Sequence, residues 1–262
     1  VNGVLVDTTA LIGRHLLHLR RTPTRILGVT LTPLTMVLVL GYMLNKAISV
    51  RGGDYLGYMM AGVGAQVALA CVGSIAIGTA TSLRNGLVDR FRSLPTSRGA
   101  ILVAHTVSDL GLAAIGICIA SIVGALLGWR PDTGVLSIAA GFGLLLLFTY
   151  VMLWFGLLLG LSVRSPEALG ALSGLVLVCG SFLSNAFVPL DGLPGWLRVV
   201  AEWNPISAVS SACRQLWGGP MSASTGSVVS EHPLPAALVM LAVIAAVTVP
   251  LSCRAYHAAE PR

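Results

Sequence analysis

Between Gly134 and Val163 no Asp, Glu, Lys or Arg interrupts the chain. That run exceeds the about 20 apolar residues a helix needs to cross a bilayer. Five further stretches approach the same character: Ile26–Ile48, Tyr55–Thr81, Ala100–Gly128, Ala168–Pro189 and Pro235–Leu251. In lipid the backbone must satisfy its own N–H and C=O groups, so only a helix or a closed barrel can span. None of the six runs alternates apolar with polar residues as a barrel strand does. The pattern predicts an all-α integral membrane protein with six transmembrane helices. Composition agrees: 55% of the 262 residues are hydrophobic and 10% charged, against about 25% charged in a soluble domain. A soluble enzyme and a disordered chain are both excluded on this ground.

The charge balance is +6, from sixteen Lys and Arg against ten Asp and Glu. A basic surplus can point to nucleic acid, but here it lies in short segments between the apolar runs and is better explained by membrane orientation. Arg14, Arg20, Arg21, Arg25, Arg84, Arg90, Arg92, Arg98, Arg164, Arg254 and Arg262 fall on one side, eleven in all. Lys46, Arg51, Arg130, Arg198 and Arg214 fall on the other, five in all. The basic excess marks the cytoplasmic side, so both termini are expected there. Lys46 is the sole Lys, a bias that fits a GC-rich bacterial genome and a bacterial cytoplasmic membrane. The five cysteines (Cys71, Cys118, Cys179, Cys213, Cys253) are far apart and form no CxxC pair, which predicts neither a disulfide framework nor a metal site.

Three segments outside the runs carry pattern. Residues 1–25 place Arg14, His18, Arg21 and Arg25 on one helical stripe and Ile12, Leu16 and Leu19 opposite, the mark of an amphipathic interfacial helix. Residues 82–99 form the most polar stretch. There Leu87, Phe91 and Leu94 share a helical face, Arg84, Asp89, Arg90 and Arg92 cover the rest, Gly86 precedes the pattern and Pro95 ends it. A short helix with one apolar face needs a partner to bury it. A solvated loop whose arginines only fix orientation would carry the same charges but leave the Leu/Phe spacing unexplained. Residues 190–218 hold two short amphipathic patterns. Leu193, Trp196, Leu197 and Val200 make the first apolar face, with Arg198 and Glu202 at ion-pair spacing. Asn204-Pro205 interrupts, and Ile206, Val209, Cys213 and Leu216 make the second face. Both are too short to span and carry flanking Trp, which predicts a re-entrant or interfacial hairpin. The whole therefore divides into an interfacial helix (1–25), one six-helix transmembrane domain (26–255) and a tail (256–262).

With these motifs in place the chain resembles the permease subunits of type-2 ABC exporters, in particular the daunorubicin-resistance branch. RNGLVDRFRSLPTSR (Arg84–Arg98) resembles that family's cytoplasmic motif, and FVPLDGLPGWLRVVAEWNPISAV (Phe187–Val209) resembles the stretch joining its last two spans. Arg84-Asn85 departs from the acidic residue that many members carry before the Gly. The resemblance implies that Arg84, Asn85, Gly86, Leu87, Asp89, Arg90, Phe91, Leu94 and Pro95 form a coupling helix seated on a separate ATPase. It implies that Leu193, Pro194, Trp196, Asn204 and Pro205 belong to an extracellular helical hairpin near the exit. It also implies an assembly of two permease subunits, a homodimer being the simplest case, with two ATPase subunits that hold MgATP. Cargo would be a hydrophobic or amphipathic compound such as a drug, an antibiotic or a lipid.

The chemistry-bearing residues agree with a chain that has no catalysis of its own. No GxxxxGK[ST] phosphate loop is present, so no cofactor is expected in this chain. No serine sits in a G-x-S-x-G frame, and the histidines are scattered. His105 and Asp109 are the two ionisable residues clearly within a run, four apart on one helical face. A structural pair anchoring that helix is favoured over a proton relay, because neither lies deep. Gln66, Ser74, Thr149, Tyr150, Ser181 and Asn185 are further polar positions that could line a path or serve packing. Exporters of polysaccharide or lipid-linked glycan are the alternative within transport, disfavoured by an aromatic content of 6%. A membrane enzyme acting on lipids would need a cluster of Asp, His and Glu at the surface, which the sequence lacks.

Overall fold

The computed structural model describes residues 23–43, 54–84, 98–163, 165–190, 193–221 and 227–258, and their regular elements are all helical. In chain order these are α1 (Pro23–Met43), α2 (Tyr55–Arg84), α3 (Arg98–Leu126), α4 (Val135–Ser162), α5 (Pro166–Phe182), α6 (Gly195–Glu202), α7 (Pro205–Trp217), α8 (Val228–Glu231) and α9 (Pro233–Ala258). The expected N-terminal amphipathic helix, apart from Pro23–Arg25, and the loop residues 85–97 lie outside the described residues.

Among the described residues four helices are long and apolar enough to cross a membrane: Tyr55–Ser82, Thr106–Leu126, Val135–Ser162 and Pro233–Tyr256. Two apolar helices are shorter, Pro33–Tyr42 and Pro166–Phe182. The expected fifth run, 168–189, thus leaves helical geometry after Phe182. Local bonds are compatible with the stop. Ser184 donates to Ser181 O at 2.7 Å and accepts from Ala186 N at 3.2 Å, so a side chain competes for backbone partners that a helix would use. Pro189 then lacks the N–H to continue. The start of α5 is equally local. Ser165 Oγ accepts from Ala168 N at 3.3 Å and donates to Glu167 Oε2 at 2.7 Å, and Pro166 occupies the first turn.

α2 is the axis. It packs against α1, α3, α4, α5 and α7, and Tyr58, Met59, Val63, Ala65, Val67, Ala68 and Val72 are fully buried within it. α9 lies at the margin and leaves Val239, Val243 and Val247 more than half exposed, the kind of surface that acyl chains cover. The α2–α4 contact is the most extensive, and it is made by backbone approach. A Cβ on Gly156 would stand 2.7 Å from Val72 O, and one on Gly160 would stand 3.0 Å from Ala76 Cα. The Gly156/Gly160 spacing in the sequence is therefore a true close-packing face of the kind that holds helices together without a hydrophobic driving force. Gly170 and Gly174, which show the same spacing, have no neighbour within 4 Å of their Cβ positions.

Gly156→Val should push α4 off α2, at a cost of about 1–3 kcal/mol, and lower the melting midpoint of the detergent-solubilised chain. Gly170→Ala should leave that midpoint unchanged. Equal midpoints for Gly156→Val and the parent chain would contradict the close-packing assignment.

Candidate functional site

The segment that follows α5 is where polar chemistry concentrates. Ser184, Asn185, Ala186 and Phe187 are buried yet non-helical, so their carbonyls have no ladder to join. Buried backbone groups of this kind must find partners elsewhere, and side chains from α2 and α7 supply them. Tyr55 Oη of α2 donates to Phe187 O at 3.0 Å. Tyr58 Oη, one turn on, donates to Asn185 O at 2.8 Å. Asn204 Nδ2, at the start of α7, donates to Leu183 O at 2.8 Å, while its Oδ1 accepts from Ile206 N at 2.9 Å and caps that helix. Ser207 Oγ accepts from Asn185 N at 2.9 Å and donates to Ala201 O.

Arg214 completes the elbow. It is 1% exposed, and all its recorded acceptors are neutral. Nε donates to Tyr58 O at 2.8 Å, Nη1 to Asn185 Oδ1 at 3.2 Å, and Nη2 to Asn185 O at 2.6 Å and Ala186 O at 3.1 Å. Its Cζ lies 3.6 Å from the centroid of the Tyr58 ring. Burying a cation costs several kcal/mol. Here charge-assisted bonds to carbonyls, the ring face and a place in the last turn of α7, where helix carbonyls favour positive charge, offset that cost. The planar fork of Arg matches this set, as a Lys point charge would not. Gly62 makes room for it: a Cβ there would stand 2.7 Å from Ala186 C and 2.9 Å from Ala186 Cβ. Only a residue without a side chain lets the elbow lie against α2.

The rest of α7 is fixed to α4 and the loop before it. Trp217 Nε1 donates to Ile138 O at 3.3 Å, and its ring meets Trp129 edge-on at 5.2 Å and Phe142 at 5.1 Å. Thr133 Oγ1 donates to Leu216 O at 2.7 Å. α7 is thus a buried plug, not a surface helix. α6 has the opposite character. Trp196, Val199, Val200 and Trp203 form an exposed apolar stripe, while Ala201 and Glu202 face inward. The expected Arg198–Glu202 pair does not form: Arg198 Nη2 donates to Leu193 O at 3.4 Å, and Glu202 Oε1 is buried with no hydrogen-bond partner.

The sequence-selected residues separate accordingly. Asn204 and Pro205 join the elbow, whereas Pro194 precedes α6 and Trp196 points outward at 72% exposure. Gln66 is buried in α2 with Oε1 unpartnered. Asp109 is buried in α3, close enough to Cys71 of α2 to act on it electrostatically. His105 lies on the same helix, its side chain outside the described residues. Thr149 bonds its own helix at Leu145 O. Ser181 is buried and unpartnered, and Asn185 is central to the elbow. Of the coupling set, Arg84 ends α2 and is exposed; the others fall in 85–97, outside the described residues. Among the described residues no three His, Cys, Asp or Glu side chains gather to hold a metal. Sequence reading missed Arg214, Tyr55 and Tyr58. It placed Arg214 in an exposed outer segment, which the buried clamp corrects. The available signal was its register: Ser210, Arg214 and Trp217 follow Ile206 on one face.

Arg214→Met leaves Asn185 O its bond from Tyr58 but takes the guanidinium donors from Ala186 O and Asn185 Oδ1, at about 1–3 kcal/mol for each buried acceptor left unsatisfied. It should therefore lower the melting midpoint well below that of Tyr58→Phe, which removes one neutral bond of about 1 kcal/mol. Thermal unfolding followed by Trp fluorescence checks the order, and a midpoint for Arg214→Met equal to the parent's would refute the clamp.

Comparison with known proteins bears on what this architecture belongs to. Residues 7–216 match the family described as ABC-2 type transporter. Over 206 residues the chain is 28% identical to the daunorubicin resistance ABC transporter permease protein DrrB1 of Streptomyces coeruleorubidus, covering 79% of this chain and 73% of that one. Over 211 residues it is 25% identical to "Putative transport permease ycf38" of Cyanophora paradoxa, covering 79% and 72%. The match takes in three of the four long apolar helices (α2, α3 and α4), the elbow and nearly all of α7, and the chain belongs to the ABC-2 type transporter family of membrane permeases.

Proposed function

We propose that the chain is the membrane-spanning subunit of an ATP-driven exporter that moves a hydrophobic or amphipathic compound out across the bacterial cytoplasmic membrane. Family membership together with the 28% identity to a daunorubicin resistance permease carries this reading. ATP is hydrolysed by a separate ABC ATPase, present in two copies. The permease pairs with a second copy of itself, and both termini are cytoplasmic. First and fifth spans are completed around Pro33–Tyr42 and Pro166–Phe182.

The cytoplasmic contact is the segment from Arg84 to Pro95. α2 ends at Arg84 and α3 begins at Arg98, so whatever seats on the intervening Leu87, Phe91 and Leu94 acts on both spans at once. Arg84, Asn85, Gly86, Asp89, Arg90 and Pro95 shape and orient that helix. At the other end of the bundle, the elbow and the α6–α7 hairpin, with Leu193, Pro194, Trp196, Asn204 and Pro205, face outward near the exit. Among the described residues Asp109 and Glu202 are the buried carboxylates, a sparse set that suits a cargo without a counter-charge to match.

Leu87→Glu and Phe91→Glu should abolish co-purification with the ATPase and export of a lipophilic dye from vesicles, while membrane insertion stays at the parent level. Normal export by the double variant would overturn the coupling assignment. Labelling of a cysteine placed at Asp89 from the periplasmic side would overturn the orientation.

A further inference from the structure

Three buried side-chain oxygens on three helices lack partners: Gln66 Oε1 on α2, Ser181 Oγ on α5 and Ser210 Oγ on α7. Contacts between these helices bring the three positions to one seam. A Cβ on Gly180 of α5 would stand 2.8 Å from Ile206 Cδ1 of α7 and 3.2 Å from Leu69 Cδ1 of α2, so the three helices converge there. Gln66 lies between Leu69 and Gly62, the residue against the elbow. Ser181 follows Gly180, and Ser210 lies one turn from both Ile206 and Arg214. Unpaired buried oxygens are unfavourable in a dry seam, and a water needs two to four polar partners to stay in one. These three would be satisfied if the seam admitted water. Something must therefore hold it closed, and Arg214 is the group that ties α7, the elbow and α2 together at its end.

We infer that Arg214 is a positioning residue: it bolts shut a polar crevice between α2, α5 and α7 that hydrates when the bolt is released during the transport cycle. The inference rests on the proposed transport function for its cycle, though not for the closed seam itself. The guanidinium keeps its charge at every accessible pH, so release is mechanical. α2 supplies the mechanics. It carries Tyr58, which Arg214 grips by carbonyl and ring, near one end and Arg84 at the other. Its 30 residues span about 45 Å at 1.5 Å per residue. A displacement imposed at the 85–97 loop thus reaches the bolt through one continuous helix.

The test is a reporter cysteine, Ser210→Cys, in the full-length chain assembled with its ATPase. Its reaction with a membrane-impermeant maleimide is mapped by mass spectrometry so that native cysteines do not confuse the signal. Labelling should be slow in the nucleotide-free complex and faster once ATP is bound. Arg214→Lys and Arg214→Gln should each raise the nucleotide-free rate about tenfold and make it independent of ATP. A residue that only stabilised the fold would lower the melting midpoint without removing the nucleotide dependence. Asn185→Ala, which removes one acceptor of the fork, decides by the same criterion if neither Arg214 variant yields monodisperse protein. A rate within about twofold of the parent in the folded variants, with ATP still accelerating it, would overturn the bolt. Labelling needs no cargo, so the two ideas fail separately. Unaccelerated labelling in a chain that exports normally refutes the bolt, and accelerated labelling in a chain that exports nothing refutes the transport reading.

Discussion

A backbone that leaves helical geometry in apolar surroundings has to find donors for its carbonyls, and residues 183–187 are where this chain meets that demand. Leu183, Asn185, Ala186 and Phe187 present carbonyls that Asn204, Tyr58, Arg214 and Tyr55 take up. Those donors come from α2 and α7, so satisfying the elbow fixes three elements in one arrangement. The hairpin's place in the fold is a consequence of this accounting. α7 is drawn inward by Arg214 at its last turn and by Asn204 at its first, and Trp217 then closes the contact with α4.

The second constraint is the absence of a hydrophobic drive between helices in lipid. α2 and α4 pack closely because Gly156 and Gly160 allow backbone atoms of the partner helix within van der Waals range. α2 is thereby held along its length by α4 and near its Tyr55 end by the elbow. A helix fixed at several levels moves as a unit, which connects chemistry at the elbow with whatever acts at Arg84.

α6 illustrates why periodicity alone does not give direction. The sequence pattern groups Leu193, Trp196, Leu197 and Val200, whereas in the structure Leu193 and Leu197 are only partly exposed. Trp196, Val199, Val200 and Trp203 lie on the exposed face, and Glu202 on the buried one. In a water-soluble protein an apolar stripe turns inward. Where the surroundings are apolar or interfacial the same stripe can turn outward, and Trp is favoured at such boundaries. The i,i+4 spacing of Arg198 and Glu202 likewise states only that a pair is geometrically available. Arg198 bonds a carbonyl of its own hairpin, so the pair stays open.

The sequence by itself determined the helical class, the four long spans, the break at Asn204-Pro205 and the kinship carried by the 84–98 and 187–209 motifs, because each is a local matter of apolar length, capping or residue order. Spacing alone did not separate Gly156 and Gly160, which pack α4 on α2, from Gly170 and Gly174, which have no neighbour within 4 Å of their Cβ positions among the described residues. Tertiary structure alone decided the rest. The run 168–189 stops at Phe182 since distant donors reward the turn that follows it. Arg214, which sequence reading counted as a loop charge, is buried because its acceptors lie on residues 58, 185 and 186, remote along the chain. Register puts Arg214 on the face of Ile206 and Ser210, but whether that face is buried depends on partners that meet across long sequence separations.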